Sequence, residues 1–127
     1  IHQLDCGESI TLAGYQTDLM PVLEQTDLFV ISSEREGFPY TLVEALMAEC
    51  PVVSTPVAGC TELLPEEAIA RDHSIAALST LIREALGAPD KIRRLEQPAF
   101  EYAREHLTLT AMARTTLQVY NDGLPRP

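Results

Sequence analysis

Residues 28–55 read LFVISSEREGFPYTLVEALMAECPVVST, and the order of elements in them decides the fold class. Leu28-Phe29-Val30-Ile31 is a continuous apolar run of strand length, and so is Pro51-Val52-Val53 with Ser54-Thr55 behind it. Runs without alternation suit parallel strands covered on both faces. Between them Ser32 to Pro39 is polar and turn-forming, and Thr41 to Ala48 reads as a helix. Strand, crossover helix and strand make one unit of a parallel α/β sheet.

Upstream, Ile10-Thr11-Leu12 reads as a further strand that ends in a turn at Ala13-Gly14-Tyr15. Asp18 can cap a helix carrying Leu19, Val22 and Leu23, with Pro21 tolerated in its first turn. The predicted order is β-α-β-α-β within about 45 residues. After residue 65 the pattern turns helical. Ile75, Leu78, Leu81, Ile82 and Leu86 form a stripe, and Gly87-Ala88-Pro89 punctuates it. Asp90 to His106 is a second helical segment, interrupted or restarted at Pro98. Leu109, Met112, Ala113, Leu117 and Tyr120 mark a third, capped by Thr108 or Thr110 and ended near Gly123, with an irregular tail from Leu124 to Pro127. The predicted class is α/β: a Rossmann-like parallel sheet with flanking helices and a helical C-terminal tail.

The chain has 127 residues, 46% apolar and 22% charged, which fits one packed soluble domain. Its charge of −10, from 19 acidic against 9 basic residues, argues against nucleic acid or an anionic lipid surface as partner. A phosphate group can still be held locally by backbone amides at a helix start. No apolar run approaches the ~20 residues of a membrane span. The opening Ile1-His2-Gln3-Leu4-Asp5 shows no signal peptide, and a start without Met suggests an excised piece. Cys6, Cys50 and Cys60 lack metal-ligand spacing and read as thiols of a reducing compartment. Cys50 and Cys60 flank a strand and are assigned to packing; His2, His73 and His106 are scattered, with no partner spacing.

The chemistry concentrates in residues 32–46, directly after a buried parallel strand and leading into a helix. In open α/β sheets ligands bind there, beyond the carboxyl ends of the strands. Gly37 lets a ligand approach the backbone, and the first amides of the helix offer unpaired donors and a positive dipole end to a diphosphate. Pro39 has no N–H to give but helps start the helix. Glu44 interrupts an apolar run. Val43, Leu46 and Met47 are assigned to the core stripe, whereas Tyr40, Thr41, Glu44 and Ala48 share another. From there Glu44 could grip both hydroxyls of a ribose, with Glu36 across the same cleft; periodicity alone favours a solvated Glu44. Among 13 glutamates a pair at this spacing arises about once by chance, so the spacing alone is weak.

The wider context is specific. Glu36-Gly37-Phe38-Pro39, then Glu44-Ala45-Leu46, Pro51-Val52-Val53, and Ala58-Gly59 with Glu62 together resemble the donor-binding signature of family-four retaining glycosyltransferases of the GT-B fold. Ser32-Ser33, Gly14-Tyr15 and, loosely, Tyr120 near the end of the last helix agree. The resemblance covers residues 9 to 64 well and the helical tail weakly. Two positions depart from it: Glu49 stands where a glycine usually turns the chain left-handed, and Ala58 replaces one of a glycine pair.

The resemblance implies transfer of a sugar, with retention, from a nucleotide-diphosphate sugar to a glycan or lipid-linked acceptor in cell-surface polysaccharide or glycolipid synthesis. Glu36 would contact the donor sugar as the catalytic-site carboxylate and Glu44 the ribose. The amides of Phe38, Tyr40 and Thr41 would hold the diphosphate on a loop shaped by Gly37 and Pro39. No cofactor and no metal is expected. The whole chain, 1–127, would be one partial domain, the donor-binding C-terminal half, in a cytoplasmic enzyme at the inner membrane face. The acceptor domain and the basic diphosphate clamp would lie upstream, leaving the isolated chain inactive; Arg35 reads as a solvated loop residue rather than a substitute clamp. Glu62, Glu66 and Glu67 are placed on a solvated face. The stripe Leu109, Met112, Leu117 and Tyr120 is core by periodicity; left exposed without its partner domain, it would drive self-association. Two other readings stay open at this stage, a non-catalytic α/β interaction module and a nucleotide-sugar epimerase of the same architecture.

Overall fold

The structure, a computed structural model, describes residues 9–123. The expectations for Ile1 to Glu8, including His2 and Cys6, and for Leu124 to Pro127 lie outside the described residues. Helix α1 (Met20–Leu23) precedes strand β1 (Phe29–Ile31), helix α2 (Tyr40–Met47) and strand β2 (Val52–Ser54). Helices α3 (Cys60–Leu63), α4 (Ile75–Gly87), α5 (Pro89–His106) and α6 (Leu109–Gly123) follow, with a short 3-10 turn at Glu66–Ala68 after α3. β1 and β2 pair in parallel, Phe29 opposite Val52 and Ile31 opposite Ser54. The α/β class and the parallel pairing across α2 are as expected.

Strand alternation sorts the core into two layers. Ile31 and Val52 face one cluster with Leu42, Ala45 and Leu46 of α2 and Phe100 and Ala103 of α5. Val53 faces the other, with Ala77, Leu81 and Ala85 of α4 and Ile92 of α5. Helix α5 therefore contributes to both layers.

Several elements differ from the sequence expectation. Residues 10–12 form no strand, and Leu12 is 81% exposed. Among the described residues they have no neighbouring strand, and β-branched composition without a hydrogen-bonding partner makes no sheet. The described order is thus α-β-α-β. A third sheet position appears instead at Ile69, bridged in parallel to Ser54, with the Ala70 N–H donating to the Ser54 carbonyl at 2.7 Å. The sequence pattern after residue 65 predicts helix and no sheet position there. In α4 the buried positions are Ala77, Leu81 and Ala85; Ile75, 86% exposed, and Leu86 point outward. The small alanines let the helix lie close to the sheet, so volume at the contact outweighs apolarity.

Helix α5 continues through Pro98 without restarting. A mid-helix proline costs about 3 kcal/mol. Pro98 is exposed, while its neighbours Ala99, Phe100 and Ala103 are buried, and that packing holds the helix on course. Helix α6 starts as expected, with Thr108 Oγ1 accepting from the Ala111 N–H at 3.2 Å. None of its residues is buried, however, so Leu109, Met112, Leu117 and Tyr120 are not core in this chain. No helix among the described residues is long and apolar enough to cross a membrane.

Glu96 on α5 carries no sequence signal of special status, yet it is 0% exposed. The Phe29 N–H donates to the Pro51 carbonyl, so the next N–H, of Val52, points away from β1. The bridge at Ile69 covers Ser54 but does not reach Val52. Both Glu96 carboxylate oxygens accept from the Val52 N–H, at 2.9 and 3.2 Å, and so satisfy a sheet donor that lacks a strand partner. Burial pushes the Glu96 carboxyl up to about 8, against the Val52 hydrogen bond and the Arg93 charge, which pull it down.

A carboxyl whose folded pKa exceeds its unfolded value gives stability that is complete below the unfolded pKa and lost as pH rises through the folded one. For Glu96 the window lies between the ordinary carboxyl value of 4.5 and the folded value of about 8. Urea unfolding should therefore show stability falling across this range by on the order of a few kcal/mol. Glu96→Gln, which keeps an acceptor for Val52 and removes the titration, should flatten the dependence. An equally steep slope in that variant would assign it to other groups.

Candidate functional site

Because β1 and β2 run parallel, their carboxyl ends open on the same edge of the sheet. Two loops leave from there, residues 32–39 after β1 and residues 55–59 after β2. They are tied together at two points. The Thr55 hydroxyl donates to the Ser33 carbonyl at 2.6 Å. Gly59, at φ +80°, presses against the first loop: a Cβ on it would lie 3.0 Å from Phe38 Cδ2, 3.1 Å from Pro39 Cδ and 3.3 Å from Phe38 Cα.

Pro39 is the residue before α2, in an extended conformation with φ −72°, and no side chain caps the helix. Leu42 N–H bonds the Pro39 carbonyl at 3.1 Å. The amides of Phe38, Tyr40 and Thr41 donate to no oxygen among the described residues, and the first turn holds no acid. This is an anion-ready helix start, with free donors and no internal counter-charge.

The predicted residues around it fall as follows. Glu36 is exposed and accepts a hydrogen bond at Oε1 from the Ser33 hydroxyl at 2.7 Å. At the start of α3, burial raises the Cys60 thiol, the Ser54 side chain lowers it, and the Glu36 charge raises it further. Gly37 is exposed, and a Cβ there would meet nothing within 4 Å, so its face of the loop is open. Phe38 is part-exposed, Pro39 is buried, and Tyr40 is 82% exposed. Thr41 and Glu44 are half-buried on α2. The core stripe of α2 is Leu42, Ala45 and Leu46 rather than Val43, Leu46 and Met47; Met47 is exposed. Glu44 stays off that stripe.

Five of the hollows on the described surface lack Glu36 and Glu44 in their walls. Phe38 lines two. The larger, about 650 Å³, lies between Phe38, Tyr40 and Val43 on one side and Leu109 and Met112 of α6 on the other. The signature glutamates thus sit on an open edge beside these hollows. Among the described residues no three His, Cys, Asp or Glu side chains cluster to hold a metal.

The departure at Glu49 resolves clearly. Glu49 keeps the left-handed turn, at φ 52°. The Cys50 N–H bonds the Ala45 carbonyl at 2.9 Å and the Glu49 N–H the Leu46 carbonyl at 3.2 Å, the paired bonds of a Schellman end. The left-handed turn costs about 1 kcal/mol relative to glycine, and the Glu49 side chain pairs with Arg104 of α5. Arg35 is exposed and forms no ion pair among the described residues. Cys50 and Cys60 are buried free thiols, and Glu62, Glu66 and Glu67 are exposed. Sequence reading missed the Thr55–Ser33–Glu36 connection, whose one available cue was the serine three residues before Glu36.

Comparison with known proteins places this edge in context: the model of the family "Glycosyl transferases group 1" matches residues 1–102. The chain belongs to that family. The match extends through most of α5, well beyond the residues that carry the signature. The Vi polysaccharide biosynthesis protein VipC/TviE of Salmonella typhi is 38% identical over 64 residues, 50% of this chain and 11% of that protein. The N,N'-diacetylbacillosaminyl-diphospho-undecaprenol alpha-1,3-N-acetylgalactosaminyltransferase of Campylobacter jejuni is 33% identical over 51 residues, 40% of this chain and 14% of that enzyme. Among solved structures, sucrose-phosphate synthase from Thermosynechococcus elongatus superposes with a TM-score of 0.83 at 24% identity, over 95% of this chain and 32% of that one. That likeness concerns the fold, a GT-B C-terminal domain. The chain matches only a small part of each of these proteins.

Proposed function

We propose that the protein containing this sequence is a retaining glycosyltransferase, and that residues 1–127 belong to its donor-binding half. The observation that carries the reading is the uncapped start of α2, beyond the ends of two parallel strands, with Glu36 before it and Glu44 one turn within it. Free amides of Phe38, Tyr40 and Thr41 receive the diphosphate of a nucleotide sugar. Glu44 accepts hydrogen bonds from the ribose hydroxyls, and Glu36 accepts from hydroxyls of the transferred sugar. Negative charge grows on the departing diphosphate, and amides already aimed at it stabilise the transition state without reorganising. Departure and acceptor attack on one face of the sugar give retention. The reading needs no metal.

The names of two relatives, one in polysaccharide biosynthesis and one acting on an undecaprenol-linked sugar, favour a glycan or lipid-linked acceptor. Such acceptors fit a cytoplasmic enzyme working at a membrane face. The acceptor and the opposite wall of the cleft are assigned to parts of the protein outside this sequence.

The test is calorimetric titration of the full-length protein with UDP, GDP and ADP. One of them should bind, and Glu44→Ala should raise its Kd about 10- to 100-fold, the loss of charge-assisted hydrogen bonds. Binding that survives the substitution unchanged removes Glu44 from the donor site.

A further inference from the structure

The exposed carboxylate of Glu36 is not free to wander, because a chain of hydrogen bonds runs from it to the buried end of the sheet. Thr55 follows β2 directly and is 3% exposed. Its N–H donates to the Ile31 carbonyl at 3.0 Å, which fixes its backbone to the end of β1. Its single hydroxyl proton goes to the Ser33 carbonyl at 2.6 Å, the shorter of two contacts, with the Ile31 carbonyl at 3.4 Å. Ser33 in turn donates its own hydroxyl to Glu36 Oε1 at 2.7 Å. An ionised carboxylate only accepts, so this bond leaves Oε2 and the remaining lone pairs for hydroxyls of a ligand. A glutamate on an open loop otherwise samples several rotamers.

We propose that Ser33 and Thr55 are positioning residues: they hold the Glu36 carboxylate at one orientation to the donor sugar by anchoring it to the ends of both strands. The inference rests on the donor-sugar role given to Glu36 above. Neither residue touches substrate; Thr55 fixes the backbone of Ser33, and Ser33 fixes the carboxylate. Small displacements of a positioned group lower rates steeply, whereas ground-state binding of the diphosphate draws on α2 and is spared.

The experiment is a double-mutant cycle in the full-length protein, read in kcat with the nucleotide sugar and in Kd for the nucleoside diphosphate. Ser33→Ala should lower kcat about tenfold and leave the diphosphate Kd within about twofold. Ser33→Thr keeps the hydroxyl and should recover most of the rate; Thr55→Ser should likewise recover what Thr55→Val loses. In a Glu36→Gln background, Ser33→Ala should cost less than about twofold more, because the group it positions is gone. If Glu36→Gln lowers kcat and Ser33→Ala does not, or if the two losses multiply independently, the positioning role is wrong and the role of Glu36 stands. If Glu36→Gln leaves kcat intact, both fall together.

Discussion

Glu36→Gln in the full-length protein is expected to lower kcat by on the order of 100- to 1,000-fold while the Kd for the nucleoside diphosphate moves by less than about threefold. The expectation follows from where the charge sits. Glu36 lies on the loop that precedes the amides of Phe38, Tyr40 and Thr41 in the chain, whereas Glu44 follows them inside α2. Under the proposed function, a group there contacts the sugar and Glu44 the nucleotide. As the sugar–phosphate bond breaks, the ring gains positive character, and a carboxylate that already accepts from its hydroxyls interacts more strongly than in the ground state. Only such differential interaction changes kcat. Glutamine keeps the shape and one acceptor, so the loss measures charge. Glu44→Ala should show the opposite division, weakening nucleotide binding more than turnover. Equal effects of the two substitutions on Kd and on kcat would falsify the assignment of one carboxylate to each end of the donor.

The fold class and the loop that carries the candidate site were legible in the sequence for one reason, and the rest was hidden for another. β1, α2 and β2 declare themselves because each is read from local pattern: two unbroken apolar runs with a periodic segment between them. The loop residues 36–39 are equally local. What failed depends on neighbours that local pattern does not name. Residues 10–12 have strand composition and no partner, while Ile69 has a partner, Ser54, and no strand-like surroundings. Ile75 and Leu86 are more apolar than Ala77 and Ala85, yet the alanines are buried, since helix and sheet meet closely there. Glu96 reads as an ordinary helix-surface acid. Its burial follows from a vacant donor on β2, a fact of sheet topology that no window of residues contains. Whether α6 packs is likewise decided by what faces it, and nothing among the described residues covers its stripe.

Gly59→Val, by contrast, is expected to unfold or severely loosen the site, with a loss of more than about 3 kcal/mol. Two separate costs fall on this position. Gly59 sits at φ +80° and ψ −47°, a region that L side chains rarely enter, at a cost of order 1–3 kcal/mol. A Cβ there also runs into Phe38 Cα at 3.3 Å and Pro39 Cδ at 3.1 Å, backbone and ring atoms that cannot rotate away. Relief requires the second loop to move off the first, which displaces Pro39 and with it the amides at the start of α2. Stability and nucleotide affinity should therefore fall together. Two other glycines separate the causes. Gly14, at φ +68° with nothing within 4 Å, has strain without a clash, so Gly14→Ala should cost about 1 kcal/mol. Gly37 has open space for a Cβ and no left-handed φ, so Gly37→Ala should leave stability within about 0.5 kcal/mol. Urea unfolding of the three alanine variants should rank them Gly59, Gly14, Gly37 from most to least damaged. A Gly59→Ala protein as stable as Gly37→Ala, and binding nucleotide normally, would show that the two loops do not depend on this contact.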